Sequence, residues 1–139
     1  MANEQYAFID KSSIPDRESW QAAVRECGFD LQLDPEWIAG ESTGFAPCEI
    51  LGREAGVEIY CDDDADFMSQ FQDIAPGKDY CISFRWGGSM AECACAMVLS
   101  VALVKNFGAI VSYEGEPPVE SVADLLVETE AIVKDVEKE

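Results

Sequence analysis

The sequence predicts an α+β fold: a single domain on a mainly antiparallel sheet of about five or six strands, with a buried central helix and further helices packed on it. Three observations carry that expectation. Segments with the two-residue alternation of strands outnumber those with helical spacing, and the two kinds do not alternate regularly along the chain. One segment, Ser89 to Gly108, is bounded by helix caps yet small and apolar on every side, which suits a helix in the middle of a fold. Finally, 48% of the 139 residues are apolar, with seven Phe, four Tyr and three Trp, so a sizeable core is available. A chain of this length buries roughly two-thirds of its unfolded surface, and no repeat or low-complexity linker divides it.

In order, Gln5 to Ile9 reads as a first strand. Ser13-Ile14-Pro15-Asp16 has the hydroxyl-to-acid spacing of a capping box and places a helix start at Ser13. Trp20, Val24 and Cys27 share one face of that helix, and Gly28 supplies its stop. Phe29, Leu31 and Leu33 alternate with polar residues up to Asp34-Pro35, giving a second strand, and Trp37 to Thr43 reads as loop. Phe45 to Leu51 and Gly56 to Cys61 flank Gly52-Arg53-Glu54-Ala55, a hairpin with a four-residue connection. Beyond the acidic run Asp62-Asp63-Asp64-Ala65-Asp66, the residues Phe67, Phe71 and Ile74 stand at helical spacing, and Pro76-Gly77 ends that short helix.

Tyr80 to Trp86 is the clearest strand: Tyr80, Ile82, Phe84 and Trp86 share one face, and Cys81, Ser83 and Arg85 the other. Gly87-Gly88 turns the chain into the central helix, where Ser89 and Glu92 form a capping box, Lys105 sits in the last turn and Gly108 follows. Ala109 to Tyr113 gives the last strand. Pro117-Pro118 then introduces an amphipathic helix with Val122, Leu125, Leu126, Val133 and Val136 inward.

Charge narrows the function classes. Twenty-eight Asp and Glu face nine Lys and Arg with no histidine, a net charge of −19. Such a surface repels phosphate backbones and anionic headgroups and attracts basic proteins. The basic residues are scattered, so no nucleic-acid footprint is built. Residues Met1 to Tyr6 lack the basic and apolar regions of a secretory signal, and the longest apolar run, Cys93 to Val104, falls short of the ~20 residues that span a bilayer. The expectation is a cytoplasmic protein without a membrane partner. Its cysteines (Cys27, Cys48, Cys61, Cys81, Cys93, Cys95) then read as free, mostly buried thiols in a reducing compartment.

Individual constellations point away from cofactor or metal chemistry. Asp62, Asp64 and Asp66 have the spacing of the first ligands of a calcium loop, but Phe67 stands where such a loop turns on glycine, and Asp73 holds the slot of the bidentate Glu. These acids read instead as favouring the positive end of the next helix, or as a binding edge for a basic partner. Cys93 and Cys95 point to different sides of a helix, and no histidine completes a zinc set. Gly87-Gly88 lacks the further glycine and lysine of a phosphate loop. An enzyme would have to work through Cys48 or carboxylates, with Cys48, Arg85 and Glu92 converging in a pocket. Arg85, a lone cation in an aromatic strand, reads as pairing with a carboxylate such as Glu58 across the sheet, or as lining an exposed sheet face with Trp86.

Three stretches carry a resemblance: Gly44-Phe45-Ala46-Pro47-Cys48; Gly52-Arg53-Glu54-Ala55-Gly56-Val57-Glu58-Ile59-Tyr60; and Ile82-Ser83-Phe84-Arg85-Trp86-Gly87-Gly88 running into Glu92-Cys93-Ala94. They resemble a group of small bacterial proteins associated with toxin immunity in polymorphic-toxin and type VI secretion loci. The resemblance implies an acidic protein-binding inhibitor that neutralises a cognate toxin or effector with a basic surface, and it brings no catalytic residues. The partner-binding residues expected are Asp62, Asp63, Asp64, Asp66, Arg85, Trp86, Glu114 and Glu116. The alternatives are the small enzyme above and an acidic adaptor or regulatory subunit without a toxin partner; the oligomeric state stays open. Self-repulsion of the net charge destabilises the compact state at low ionic strength. The melting temperature is therefore expected to rise from low to moderate sodium chloride in a calorimetric series, and a flat or falling response would contradict this.

Overall fold

The computed structural model describes residues 3–38, 40–116 and 121–138. Along the chain run β1 (Asn3–Ile9), a 3-10 turn (Lys11–Ser13), α1 (Arg17–Glu26), β2 (Leu31–Leu33), β3 (Gly44–Ile50), β4 (Arg53–Asp62), α2 (Ala65–Ser69), β5 (Tyr80–Trp86), α3 (Met90–Phe107), β6 (Ile110–Tyr113) and α4 (Val122–Glu137). The six strands form one sheet in the order β2-β3-β4-β5-β1-β6, every neighbouring pair antiparallel. This is the α+β architecture expected from the sequence.

The central helix sets the layering. Every residue of α3 from 94 to 103 is buried, so it needs cover on all sides. The sheet lies beneath it, and α1 and α4 flank it. By length and mean hydropathy α3 is also apolar enough to cross a bilayer; here Ala94, Val98, Leu99, Val101 and Leu103 fill the main core with Ile59, Phe84 and Leu125. Its ends are those the sequence encodes: Ser89 accepts the Glu92 amide, and Gly108 closes the helix at φ 72°. Among the described residues every buried side-chain nitrogen and oxygen has a hydrogen-bond partner. The Trp20 indole donates to the Leu99 carbonyl at 3.1 Å, and Gln5 donates to Ser100 at 2.9 Å. Gln21 bridges β2 from α1, donating to the Leu31 carbonyl at 2.7 Å and accepting the Leu33 amide at 2.8 Å.

Five local expectations are corrected. The first helix is capped by Asp16, which accepts the Ser19 amide, not by Ser13; Pro15 forces Ile14 into extended backbone (ψ 123°), so a helix cannot run through from Ser13. The β3–β4 hairpin turns on two residues, Leu51 and Gly52, both at positive φ (54° and 77°), so Arg53 and Glu54 belong to the strand. The second strand is only Leu31–Leu33, and the helix after the acidic run stops at Ser69, leaving Phe71 and Ile74 in the following turns. In α4, Leu125, Val133 and Val136 point inward as expected, but Val122 is exposed, and Thr129 takes a buried position by donating to the Leu125 carbonyl at 2.6 Å. Pro117-Pro118 lies outside the described residues.

A second, smaller core lies on the opposite face of the sheet. There Phe67, Met68, Phe71 and Ile74 cover Phe8, Cys81 and Tyr6. Truncating Leu99, which is fully buried at the centre of α3, leaves a cavity that the surrounding layers cannot close. Leu99→Ala is expected to cost about 2–5 kcal/mol in urea unfolding, and a loss below that range would mean the helix is less tightly enclosed.

Candidate protein-binding face

Successive residues of a strand point to opposite faces, so strand register decides what the sheet displays. On the face away from α3, Phe45 of β3, Glu58 of β4, Arg85 of β5 and Glu4 of β1 stand in one cross-strand row. The next row toward the hairpin turn sets Pro47 opposite Gly56, and the one after sets Glu49 opposite both Glu54 and Gln32. The turns after α2 cover the other end of this face, over Tyr6, Phe8 and Cys81, whereas Phe45, Pro47, Glu49, Glu54 and Arg85 are exposed.

Phe45 ends its row on the β3 side, since β2 pairs only with Cys48 to Ile50. It is 58% exposed, among the most exposed large apolar side chains of the described residues. Gly56 explains why it can lie flat: a side chain there would collide with the Phe45 ring and with the Ala46 carbonyl. A glycine in a strand interior marks such close approach, and here the aromatic ring of the neighbouring strand covers it.

The same face carries carboxylates, Glu58 in the row of Phe45 and Glu49 with Glu54 two rows along. Glu49 and Glu54 are direct cross-strand partners of like charge, which destabilises a sheet. Neither takes part in a salt bridge among the described residues. Glu58 accepts the Tyr60 hydroxyl at 2.6 Å, and that bond is the main reason the Tyr60 phenol is held above its ordinary range. The expected pairing of Arg85 with Glu58 is corrected: Glu58 is its register partner on β4, but the ion pair goes to Glu4 on β1, at 3.2 Å. Two strands flank Arg85, and Glu58 is already held by Tyr60.

Trp86 is not on this face. As the next residue after Arg85 it points to the helix side, where it is 6% exposed and packs beside Tyr113, ring centroids 6.4 Å apart. Alternation along a strand forbids the two side chains from sharing a surface. Glu114 lies just past the end of β6, its amide donating to the Glu4 carbonyl at 2.9 Å with φ at 55°, and its carboxylate is close enough to Tyr113 to be, after burial, a cause that raises that phenol. Glu116 follows in the same turn, its amide donating to Tyr113 and its carbonyl accepting from Ser112 at 2.8 Å.

The acidic run lies elsewhere. Asp62 is four residues along β4 from Glu58, on the order of 13 Å away at strand rise. Its carboxylate accepts the Asp64 amide at 2.9 Å, Asp63 pairs with Lys11 at 2.9 Å, and Asp64 caps α2 by accepting the Phe67 amide at 3.0 Å. Asp66 is exposed in the first turn of α2, at the helix end that favours acids. The bond to Lys11 holds the Asp63 carboxyl below its usual range. Of the partner-binding residues expected, Arg85 therefore reaches the open face, and Glu114 lies near Tyr113; Asp62, Asp63 and Asp64 are engaged locally at the α2 end, with Asp66 exposed beside them. The sequence reading missed Phe45, Pro47, Glu49, Glu54 and Glu4. Phe45, Pro47 and Glu49 were legible as the outward half of an alternating strand, but Glu54 had been placed in the hairpin connection.

The residues required of an enzyme do not converge. Cys48 and Glu92 border a cavity of about 660 Å³ at the β2–β3 edge that Phe45, Pro47, Glu49 and Glu54 also line, but Arg85 is not among its lining residues. Among the described residues no group of three or more Cys, Asp or Glu side chains is placed to hold a metal ion. No protein-family model, curated protein or solved structure matches the chain.

All six cysteines are free thiols. Burial pushes Cys81 up to about 12 and also raises Cys27, Cys61 and Cys93. Cys95, hydrogen-bonded to Cys48 in the core, is pushed up as well. Since the thiolate is the reactive form, Ellman's reagent at pH 8 is expected to label Cys81 and Cys95 only as the protein unfolds. Rapid modification of either in the native state would contradict this placement.

Proposed function

We propose that this chain acts by binding a basic protein through the open sheet face, as the antidote to a cognate bacterial toxin in the cytoplasm. The observation that carries the reading is Phe45 lying over Gly56 on a face that also carries Glu58 in its own row and the like-charge pair Glu49 and Glu54 two rows along. An apolar centre with a polar rim is the anatomy of a protein interface, and aromatic residues at the centre supply most of the affinity. A like-charge pair such as Glu49 and Glu54 costs stability when free and is relieved when a Lys or Arg from the partner lies between them. The net charge of −19 adds long-range steering, which raises association rates toward 10⁸–10⁹ M⁻¹s⁻¹ at low salt, on the order of a hundredfold or more above an unsteered encounter.

The partner is obtained by pull-down from the native host and identified by mass spectrometry. It qualifies as a toxin when it arrests growth alone and co-expression of this chain restores growth. With that partner, Phe45→Ala is expected to weaken binding by about thirtyfold, as loss of a ~2 kcal/mol aromatic anchor. Glu49→Lys with Glu54→Lys should slow association and flatten its salt dependence. The same reversal at Asp62, Asp63 and Asp64 compares the two acidic regions directly. Slowing by that triple reversal alone, with the Phe45 and Glu49/Glu54 variants at wild-type affinity, moves the interface to the α2 end; a partner without effect on growth leaves an acidic adaptor.

A further inference from the structure

On the helix-covered side of the sheet, a second cavity of about 500 Å³ opens between β1, β5 and β6 and the helices α3 and α4. Its size falls within the range of small-ligand sites. Gln5, Trp86 and Met97 are almost wholly buried and make its floor; Met90, Tyr113 and Glu128 are exposed and make its rim. The Trp86 and Tyr113 rings meet at 56°, presenting two aromatic surfaces at an angle. Ring faces of this kind attract cations, Trp most strongly, and the two thioethers are soft, deformable walls for an apolar stem.

The electrostatics have one sign. Glu128 is the only ionised side chain among the described lining residues, and no Lys or Arg lines the cavity. No salt bridge among the described residues involves Glu128. Its field reaches the cavity wall: after burial, the Glu128 charge is the next cause holding the Cys93 thiol high. The positive end of α3 works in the other direction, but it amounts to about half a charge, and Glu92 in the first turn offsets it.

We propose that this cavity binds an organic cation, a guanidinium or alkylammonium group on an apolar stem. The charge faces Glu128 and the stem lies against Trp86, Tyr113 and the methionines. An anionic ligand would meet Glu128 with nothing to neutralise it, and a neutral one would leave the carboxylate unused. The inference does not depend on the antidote reading, because the cavity lies across the sheet from Phe45 and its test involves no partner.

The test is an NMR titration of the intact chain with butylguanidinium and with butylurea, its neutral isostere. Butylguanidinium is expected to shift the Trp86 indole signal saturably, butylurea is not. Glu128→Gln, an exposed substitution on α4, should weaken binding about tenfold, or about 1.4 kcal/mol, while Glu49→Gln on the far face leaves it unchanged. A capped Gly-Arg-Gly peptide separates the two sources of such a cation: tighter binding than butylguanidinium indicates an arginine side chain of a polypeptide, weaker binding a free cationic metabolite. The proposal is overturned if neither probe binds, if butylurea matches butylguanidinium, or if Glu49→Gln weakens binding as much as Glu128→Gln, which would mark a generic attraction to the acidic surface.

Discussion

The enclosure of α3 is the constraint on which the rest of the structure depends. A helix buried from residue 94 to residue 103 gains stability only if apolar groups meet it on every side, at roughly 25 cal/mol for each Å² of apolar surface removed from water. The sheet supplies one side, α1 and α4 the flanks. Those are the long helices of the described chain, and they are all drawn to the same face. Among the described residues the opposite face keeps α2 and the turns after it, which cover Tyr6, Phe8 and Cys81 but not the β3–β4 end. An uncovered stretch of sheet carrying Phe45 thus follows from how the core was filled.

The open face departs from local consistency in two ways, and both have the same direction. Glu49 faces Glu54 across the ladder, and a phenylalanine is 58% exposed beside them. Scattered exposed apolar residues need no explanation. A ring laid on a strand glycine, near a like-charge pair that makes no salt bridge among the described residues, is a more specific arrangement, since each element alone weakens the sheet. Proteins accept such local costs where a surface is used. The acids at the α2 end show the contrast: Asp62, Asp63 and Asp64 each have a partner within the fold, so their charge is already employed in holding a turn, an ion pair and a helix cap.

Much of this architecture was legible in the residues. The caps at Ser89 and Gly108, the all-round apolar stretch between them and the alternation of Tyr80 to Trp86 each state their structure through short-range chemistry, and each appears where expected. What was not legible depends on register. Nothing local says whether the hairpin turns on two residues or four; a Leu at φ 54° is an unfavourable choice for the first turn position, tolerated here beside Gly52. That ambiguity hid Glu54 and so hid the like-charge pair. The Ser13 start was a misleading signal of the same kind: the spacing fits a cap, but Pro15 removes the helical conformation from the residue before it. The choice between Glu4 and Glu58 as partner of Arg85 required strand order, which no local pattern encodes.

Alternation also explains why two neighbouring residues belong to different surfaces. Arg85 and Trp86 are adjacent in β5, yet one stands in the acidic row with Glu4 and Glu58 and the other forms the floor of the cavity under α3 and α4. The sheet is one residue layer thick, so the two surfaces are separated by a backbone and little else. Their chemistry nevertheless differs. The outer surface is open and carries acids beside an exposed aromatic, Phe45, suited to a large basic partner. The inner one is a recess with an aromatic wall and, among the described lining residues, a single carboxylate, suited to a small cation. A substitution in β5 can therefore alter one surface while the other keeps its residues. Exchanging Arg85 would disturb the acidic row and leave the Trp86 floor in place, because the side chains share a strand but no environment.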